Sequence, residues 1–336
     1  MKQVTHREIR IAKYGAAEHM QFRDANQVAP KAGEVQIAVR YSGINFADIQ
    51  MRLGFYPDAP KKPFVPGYEV SGIVSAVGAG VTRLREGDEV VAGTVFGGYT
   101  STLTLAEKNV FAVPKGSTLA EGAALPVNFF TCHIALHEMA RIRQGDRVLI
   151  ECATGGVGTL AIQMALQSGA EVVGLTGTAS KKAYIEKLGA TAMTRDEFYA
   201  DPSVNDFDFI LNASGGPEVR PQMKRLRITG RIVCLGMNSG VKDGKRNIFR
   251  MLSAVVQTPR ISIVKLFGDN AGVFALNALH VLQDDYWIGK LGEAFAELDD
   301  TPLVAHIGKT FAADKVADAH EYLQTRQATG KVLLEW

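Results

Sequence analysis

Three cysteines in 336 residues are too few for a disulfide framework, and Cys132, Cys152 and Cys234 are widely spaced. Each has apolar neighbours, which reads as reduced core thiols, and three thiols cannot build a four-thiolate zinc site. Neither sign of charge is in excess: 37 Lys and Arg stand against 35 Asp and Glu. Such a chain projects no field for gripping a polyanion, so a nucleic-acid partner is disfavoured. The small basic patches Lys61-Lys62 and Lys242 to Arg246 read as solvated loops. Nowhere does the chain run for the roughly 18 apolar residues that a spanning helix needs, which argues against integral membrane insertion. The opening MKQVTHREIRIAKYG lacks the apolar core of a signal peptide, so the cytoplasm is the expected compartment.

What is present is a globular composition, 46% hydrophobic and 21% charged, in a chain too long for one ordinary core. From Gly33 to about Val113, short segments of alternating polarity (EVQIAVRYSGI, VSGIVSAVGAGV, DEVVAG, GGYTSTLTL) predict a small all-β unit, a barrel, with a loop over Phe55 to Gly67 between its strands. After Pro126 the grammar changes. RVLIEC (147 to 152), EVVGLT (171 to 176), FDFIL (207 to 211) and RIVCLG (231 to 236) are compact apolar strands separated by amphipathic helical stretches, the pattern of a parallel sheet covered on both faces. Helices are expected near Ala271 to Gln283 and Asp314 to Thr325, with GKVLLE as a last strand. The expected division is 1–126, 127–264 and a return to the first domain over 265–336. PRISIVKLF (259 to 267) is β-branched and apolar and predicts an edge strand, a feature that proteins pair or cover, hence a two-fold dimer.

The most informative segment is RVLIECATGGVGTLAIQMALQSGA: a buried strand, a glycine-rich turn and a helix. Gly155, Gly156 and Gly158 allow backbone to approach a pyrophosphate seated on the positive helix N-terminus. The next strand ends Leu175-Thr176-Gly177-Thr178, without the acid that would accept from a ribose 2′-hydroxyl. Lys181 follows, where a cation can neutralise a 2′-phosphate. NADPH is therefore the expected cofactor.

The sequence of barrel, GINFADIQ, PGYEVSG, CATGGVG, TGTASKK and GKVLL resembles the medium-chain dehydrogenase/reductase superfamily over nearly the whole chain, on its quinone oxidoreductase, zeta-crystallin-like branch. GMNSGVKDGKRN (236 to 247) is similar to the vesicle amine transport protein homologues within that branch. The resemblance implies an α/β fold, a GroES-like β-barrel catalytic domain plus a Rossmann doubly wound parallel sheet, and a homodimer. Cys152 departs from the alanine usual in relatives. Zinc-containing relatives hold the metal with a cysteine and a histidine where this chain has Asn45 and Tyr68, neither a usual zinc ligand. His133 and His137, four apart on a helix, lack a third ligand, so no metal is expected.

Without a metal to polarise an alkoxide, the acceptor has to be intrinsically electrophilic, a quinone or an α,β-unsaturated carbonyl. The protein then needs to hold it against the nicotinamide and donate hydrogen bonds to its oxygen. By resemblance, Asn45 faces nicotinamide and substrate, and Tyr56 matches a tyrosine that polarises or protonates substrate in enoyl thioester reductases; Tyr56 as a plain packing aromatic is the competing reading. Asp48 reads as a residue that caps or ties the loop. Thr131 matches a residue near the carboxamide and Arg326 one that reaches the 2′-phosphate. The cofactor-binding set is Asn45, Thr131, Thr154, Gly155, Gly156, Val157, Gly158, Thr176, Gly177, Lys181, Gly236, Met237 and Arg326. The alternative to a reductase is an NADPH-bound adaptor, or a vesicle- or lipid-associated binding protein, with little turnover.

Overall fold

A computed structural model describes residues 3–241 and 246–336. The remainder of the basic patch from Lys242, and the centre of the GMNSGVKDGKRN motif, lie outside the described residues. Seven strands come first: β1 (Gln3–Ile11), β2 (Met20–Val28), β3 (Glu34–Ile44), β4 (Glu69–Val77), β5 (Glu89–Gly93), β6 (Thr102–Ala106) and β7 (Val110–Ala112). Six follow: β8 (Arg147–Ile150), β9 (Glu171–Thr176), β10 (Thr191–Thr194), β11 (Phe207–Asn212), β12 (Leu226–Cys234) and β13 (Gly272–Ala275). The chain closes with β14 (Ile307–Ala312) and β15 (Lys331–Glu335). Two compact units result. The first takes in the chain to Val127 and returns from Leu279 to Trp336; the second runs from Asn128 to Ala278, apart from Arg246, which groups with the first.

In the first unit β1 pairs with β2, and a seven-stranded sheet runs β14-β15-β3-β4-β5-β7, with β6 also paired to β3. The closing strand lies antiparallel to the end of β3, with Val332 opposite Ile44 and Leu333 opposite Gly43. This register carries Lys331, the residue before Val332, alongside Asn45. Ile9, Ile11, Ile44, Met51, Val332 and Leu334 are buried together in one core, and Val35, Ile37, Val70 and Val90 in a second. Both are filled by the inward positions of alternating strands.

The second unit is a six-stranded parallel sheet in the order β10-β9-β8-β11-β12-β13. Counted within the unit this is 3-2-1-4-5-6, the doubly wound arrangement whose strand order reverses between β8 and β11, and ligands of such sheets bind beyond the carboxyl ends there. Val148, Leu149 and Ile150 are fully buried, as expected of a central strand covered on both faces. Fold class and the principal strands thus follow the expectation.

Two local expectations fail. PRISIVKLF does not form an edge strand: Ile263–Asp269 is a helix. Ser262 caps it by accepting from the Lys265 N–H at 3.1 Å, and Asn270 ends it in the left-handed conformation. Local capping at both ends outweighs the β-propensity of the branched residues between. The sheet edge is instead β13, inside the segment Ala271 to Gln283 expected to be helical, of which only Ala278–Val281 is α-helix. Among the described residues no helix is long and apolar enough to cross a membrane.

Candidate active site

The glycine turn follows β8 and opens the helix Gly156–Gln167. Gly155 is its N-cap in extended conformation, with no side-chain cap hydrogen bond and no acid in the first turn. The helix therefore presents its first amides and positive end without a side-chain acceptor, which is the arrangement an anionic phosphate needs. Gly158 serves packing: a Cβ there would lie 2.3 Å from the Cys152 carbonyl oxygen. A Cβ on Gly156 would meet the Asn128 amide at 2.7 Å. Cys132 donates to the Val157 carbonyl at 3.3 Å, so the helix Pro126–His133, which bears buried Thr131, lies against the turn. Cys152 corrects the reading of all three thiols as core residues: it is exposed and left-handed, at φ 54°.

Glu151, next to that turn and 2% exposed, was missed by sequence reasoning because it reads as the end of a strand. Its carboxylate accepts from the Ala213 and Ser214 amides at 3.0 and 2.9 Å and from the Ser214 hydroxyl at 2.7 Å. Arg195 lies 3.3 Å away and also pairs with Glu218 at 2.6 Å. One buried carboxylate thereby ties the loops after β8, β10 and β11 on both sides of the point where strand order reverses. The loop after β12 closes on the same edge, where a Cβ on Gly215 would lie 2.1 Å from the Gly236 oxygen. Thr176, the last residue of β9, is buried, Gly177 after it is exposed, and burial lowers the Lys181 ammonium below its ordinary value.

In the first unit the helix Phe46–Leu53 is capped at Asn45 and ended by left-handed Gly54, two residues before Tyr56. The Asn45 amide is held by charge. Lys331 Nζ donates to its Oδ1 at 2.6 Å, and its Nδ2 donates to Glu69 Oε1 at 2.9 Å. Lys331 and Glu69 form an ion pair, 3% and 0% exposed, and Glu69 Oε2 accepts from the Val127 amide at 2.8 Å. Tyr56 stands edge-on to buried Tyr68, ring centroids 6.3 Å apart. The two hydroxyls share a hydrogen bond, and burial pushes the Tyr68 phenol well up. Asn45 and Tyr56 are thus both braced by the adjacent residues Tyr68 and Glu69.

Asp48 does tie the loop. It accepts from the Asn45 backbone N–H at 2.8 Å, the Gly67 backbone N–H at 3.2 Å and the Tyr99 hydroxyl at 3.2 Å, and Tyr99 contacts His320 Nε2 at 3.1 Å. Burial raises the Asp48 carboxyl to about 7 and lowers the His320 imidazole far below its ordinary range.

Of the expected cofactor residues at the carboxyl edge of the second unit's sheet, Thr154, Gly155, Gly177, Lys181, Gly236 and Met237 lie in the segments that follow β8, β9 and β12, Thr176 ends β9, and Gly156, Val157 and Gly158 open the helix Gly156–Gln167, while Thr131 lies on the helix packed against the glycine turn. Asn45, Tyr56 and Arg326 belong to the first unit, Arg326 in an exposed turn at φ 59°. His133 and His137 are ring neighbours, centroids 5.3 Å apart; among the described residues no three His, Cys, Asp or Glu side chains gather as a metal site.

Family models match over two stretches: an alcohol dehydrogenase GroES-like domain at 31–128 and a zinc-binding dehydrogenase at 156–270. The chain is 30% identical to the human synaptic vesicle membrane protein VAT-1 homolog, over 94% of this chain and 82% of that protein. It is 28% identical to human quinone oxidoreductase, over 98% and 97%. The solved CurK enoyl reductase superposes with a TM-score of 0.82 at 27% identity, over 98% and 99% of the two chains.

Proposed function

Because the chain belongs to the medium-chain dehydrogenase/reductase family, as a quinone oxidoreductase-like member, we propose that it transfers hydride from NADPH to quinones or α,β-unsaturated carbonyls without zinc. The observation that carries this reading is the uncapped N-terminus of Gly156–Gln167 at the reversal point of a doubly wound sheet, with no acid after β9 to oppose a 2′-phosphate. Thr154 to Gly158 fit the diphosphate, since their side of the helix offers amides and no competing carboxylate. Thr176, Gly177 and Lys181 fit the 2′-phosphate, with Arg326 assigned to it by family resemblance; Thr131, Gly236 and Met237 are assigned to the nicotinamide end. When bound, NADPH supplies the hydride.

The chain's own contribution is to orient the acceptor and to stabilise the charge left on its oxygen. Asn45 offers an amide N–H and Tyr56 a phenol O–H to that oxygen, and Tyr56 can pass it a proton. The zinc-free reading rests on donor chemistry: Asn45 is engaged by Lys331 and Glu69, and Tyr68 is a buried phenol held far from ionisation. Three free thiols support a cytoplasmic reductase.

Tyr56→Phe tests the site. It removes one hydrogen bond and keeps the ring, so enone turnover should fall by about 10²-fold, the cost of an oxyanion donor, while quinone turnover falls far less. Unchanged enone turnover in both Tyr56→Phe and Asn45→Ala would refute the site and favour the adaptor.

A further inference from the structure

The side-chain amide of Asn45 has two ends of similar shape and opposite polarity, and its neighbours decide which end faces where. Here the neighbours are ions. Lys331 Nζ is 2.6 Å from Oδ1, and Glu69 Oε1 is 2.9 Å from Nδ2. Turning the amide over would set N–H against ammonium and carbonyl against carboxylate, a double repulsion at sites 3% and 0% exposed, where water screens little. The pair is itself fixed: Glu69 accepts from the Val127 amide at 2.8 Å, and its carboxylate fills the space where a Cβ on Gly43 would lie 2.6 Å from Oε1. Lys331 is set in place by β15 running beside the end of β3. The second N–H of Nδ2 has no partner among the described residues, and Asn45 is half-exposed.

We propose that Lys331 and Glu69 are positioning residues, an ion pair that orients Asn45 so that it offers an N–H to the acceptor's oxygen. This rests on the reading of Asn45 as facing that acceptor. The orientation favours acceptors that gain negative charge on oxygen, because a carbonyl turned outward would repel that charge. The ammonium on Oδ1 also draws density from the amide and makes its N–H a stronger donor. The pair touches neither substrate nor cofactor and acts only through Asn45.

The test is a cycle between Asn45→Ala and the neutral double variant Glu69→Gln/Lys331→Met. Replacing both members of a buried pair avoids an uncompensated charge and commonly preserves folding. Glu69→Gln alone keeps the shape, can face Asn45 with either end of its amide, and serves as the second probe. In the parent, Asn45→Ala should lower enone kcat by about tenfold to a hundredfold. In the neutral-pair background kcat should already be lowered by a similar factor with KM little changed, and Asn45→Ala should then cost almost nothing more. A readout independent of turnover is the Asn45 side-chain amide signal in a ¹⁵N–¹H spectrum, identified by its loss in Asn45→Ala. Neutralising the pair should move that signal and speed its solvent exchange by about tenfold or more, as a charge-assisted bond is lost. An unmoved amide signal, or Asn45→Ala costing the same factor in both backgrounds, overturns the positioning role while leaving the reductase reading intact. If Asn45→Ala leaves parental turnover unchanged, the reading of Asn45 as an acceptor-facing donor fails, and the positioning role with it.

Discussion

Adding one methyl group along the glycine turn gives a graded test of the nucleotide cradle. At Gly158 an alanine Cβ would lie 2.3 Å from the Cys152 oxygen, 2.7 Å from Ala153 Cα and 2.9 Å from the Ala153 carbonyl carbon. These are backbone atoms of the turn after β8, so relief requires the helix to withdraw by about 1 Å to reach van der Waals distance. Overpacking of this kind costs about 1–3 kcal/mol. The helix propensity of alanine over glycine returns about 1 kcal/mol. The net loss is on the order of 0–2 kcal/mol, or up to roughly 8 °C in unfolding midpoint. Withdrawal also carries the first-turn amides away from a bound diphosphate, and a 1 Å misplacement can cost up to about 10²-fold. Gly156→Ala meets the Asn128 side chain at 2.7 Å, which can rotate aside, so its stability loss should be smaller. Gly155→Ala meets only the Cys152 oxygen, at 3.3 Å, and Gly177→Ala meets nothing within 4 Å; the last should unfold like the parent. Thermal unfolding ranks the four variants, and NADPH fluorescence titration measures affinity. Gly158→Ala matching the parent in both midpoint and NADPH affinity would refute the close-approach reasoning.

Lys181→Ala should weaken NADPH more than NADH and narrow the preference, since a single charge-assisted contact to the 2′-phosphate is lost; equal affinities for the two cofactors in the parent would sink the assignment. Asp48 is raised to about 7 by burial, so its folded form holds a proton that the unfolded carboxyl releases near about 4. Its contribution to stability is present below that value and is lost as pH rises to about 7, by a few kcal/mol. The midpoint of the parent relative to Asp48→Asn should therefore fall between about pH 4 and 7, and a difference that does not change with pH contradicts this. Phe249, Val256, Ile263, Val264 and Phe267, on two helices of the second unit, are each more than 80% exposed, and β13 is a sheet edge. We propose a two-fold dimer through this face, and a monomeric mass by light scattering at micromolar concentration would count against it.

Sequence by itself determined the two kinds of architecture, because strand alternation, uninterrupted buried runs such as Val148 to Ile150, and a strand–glycine–helix turn are local patterns with a single economical fold. It also singled out Asn45, Tyr56, Asp48 and the turn from Thr154 to Gly158. It misread 259–267, where β-branched residues favour a strand but Ser262 and Asn270 cap a helix, a contest between two local preferences of similar size. What only the tertiary structure decided is which distant residues support the site. Glu151 reads as the end of a strand until Ser214 and Arg195 close on it across 63 and 44 residues of sequence. Lys331 reads as an ordinary lysine until β15 pairs beside β3 and sets its ammonium on Asn45, 286 positions earlier. A buried charge is tolerated only where its partner arrives, and that partner is supplied by strand register, which no local pattern encodes.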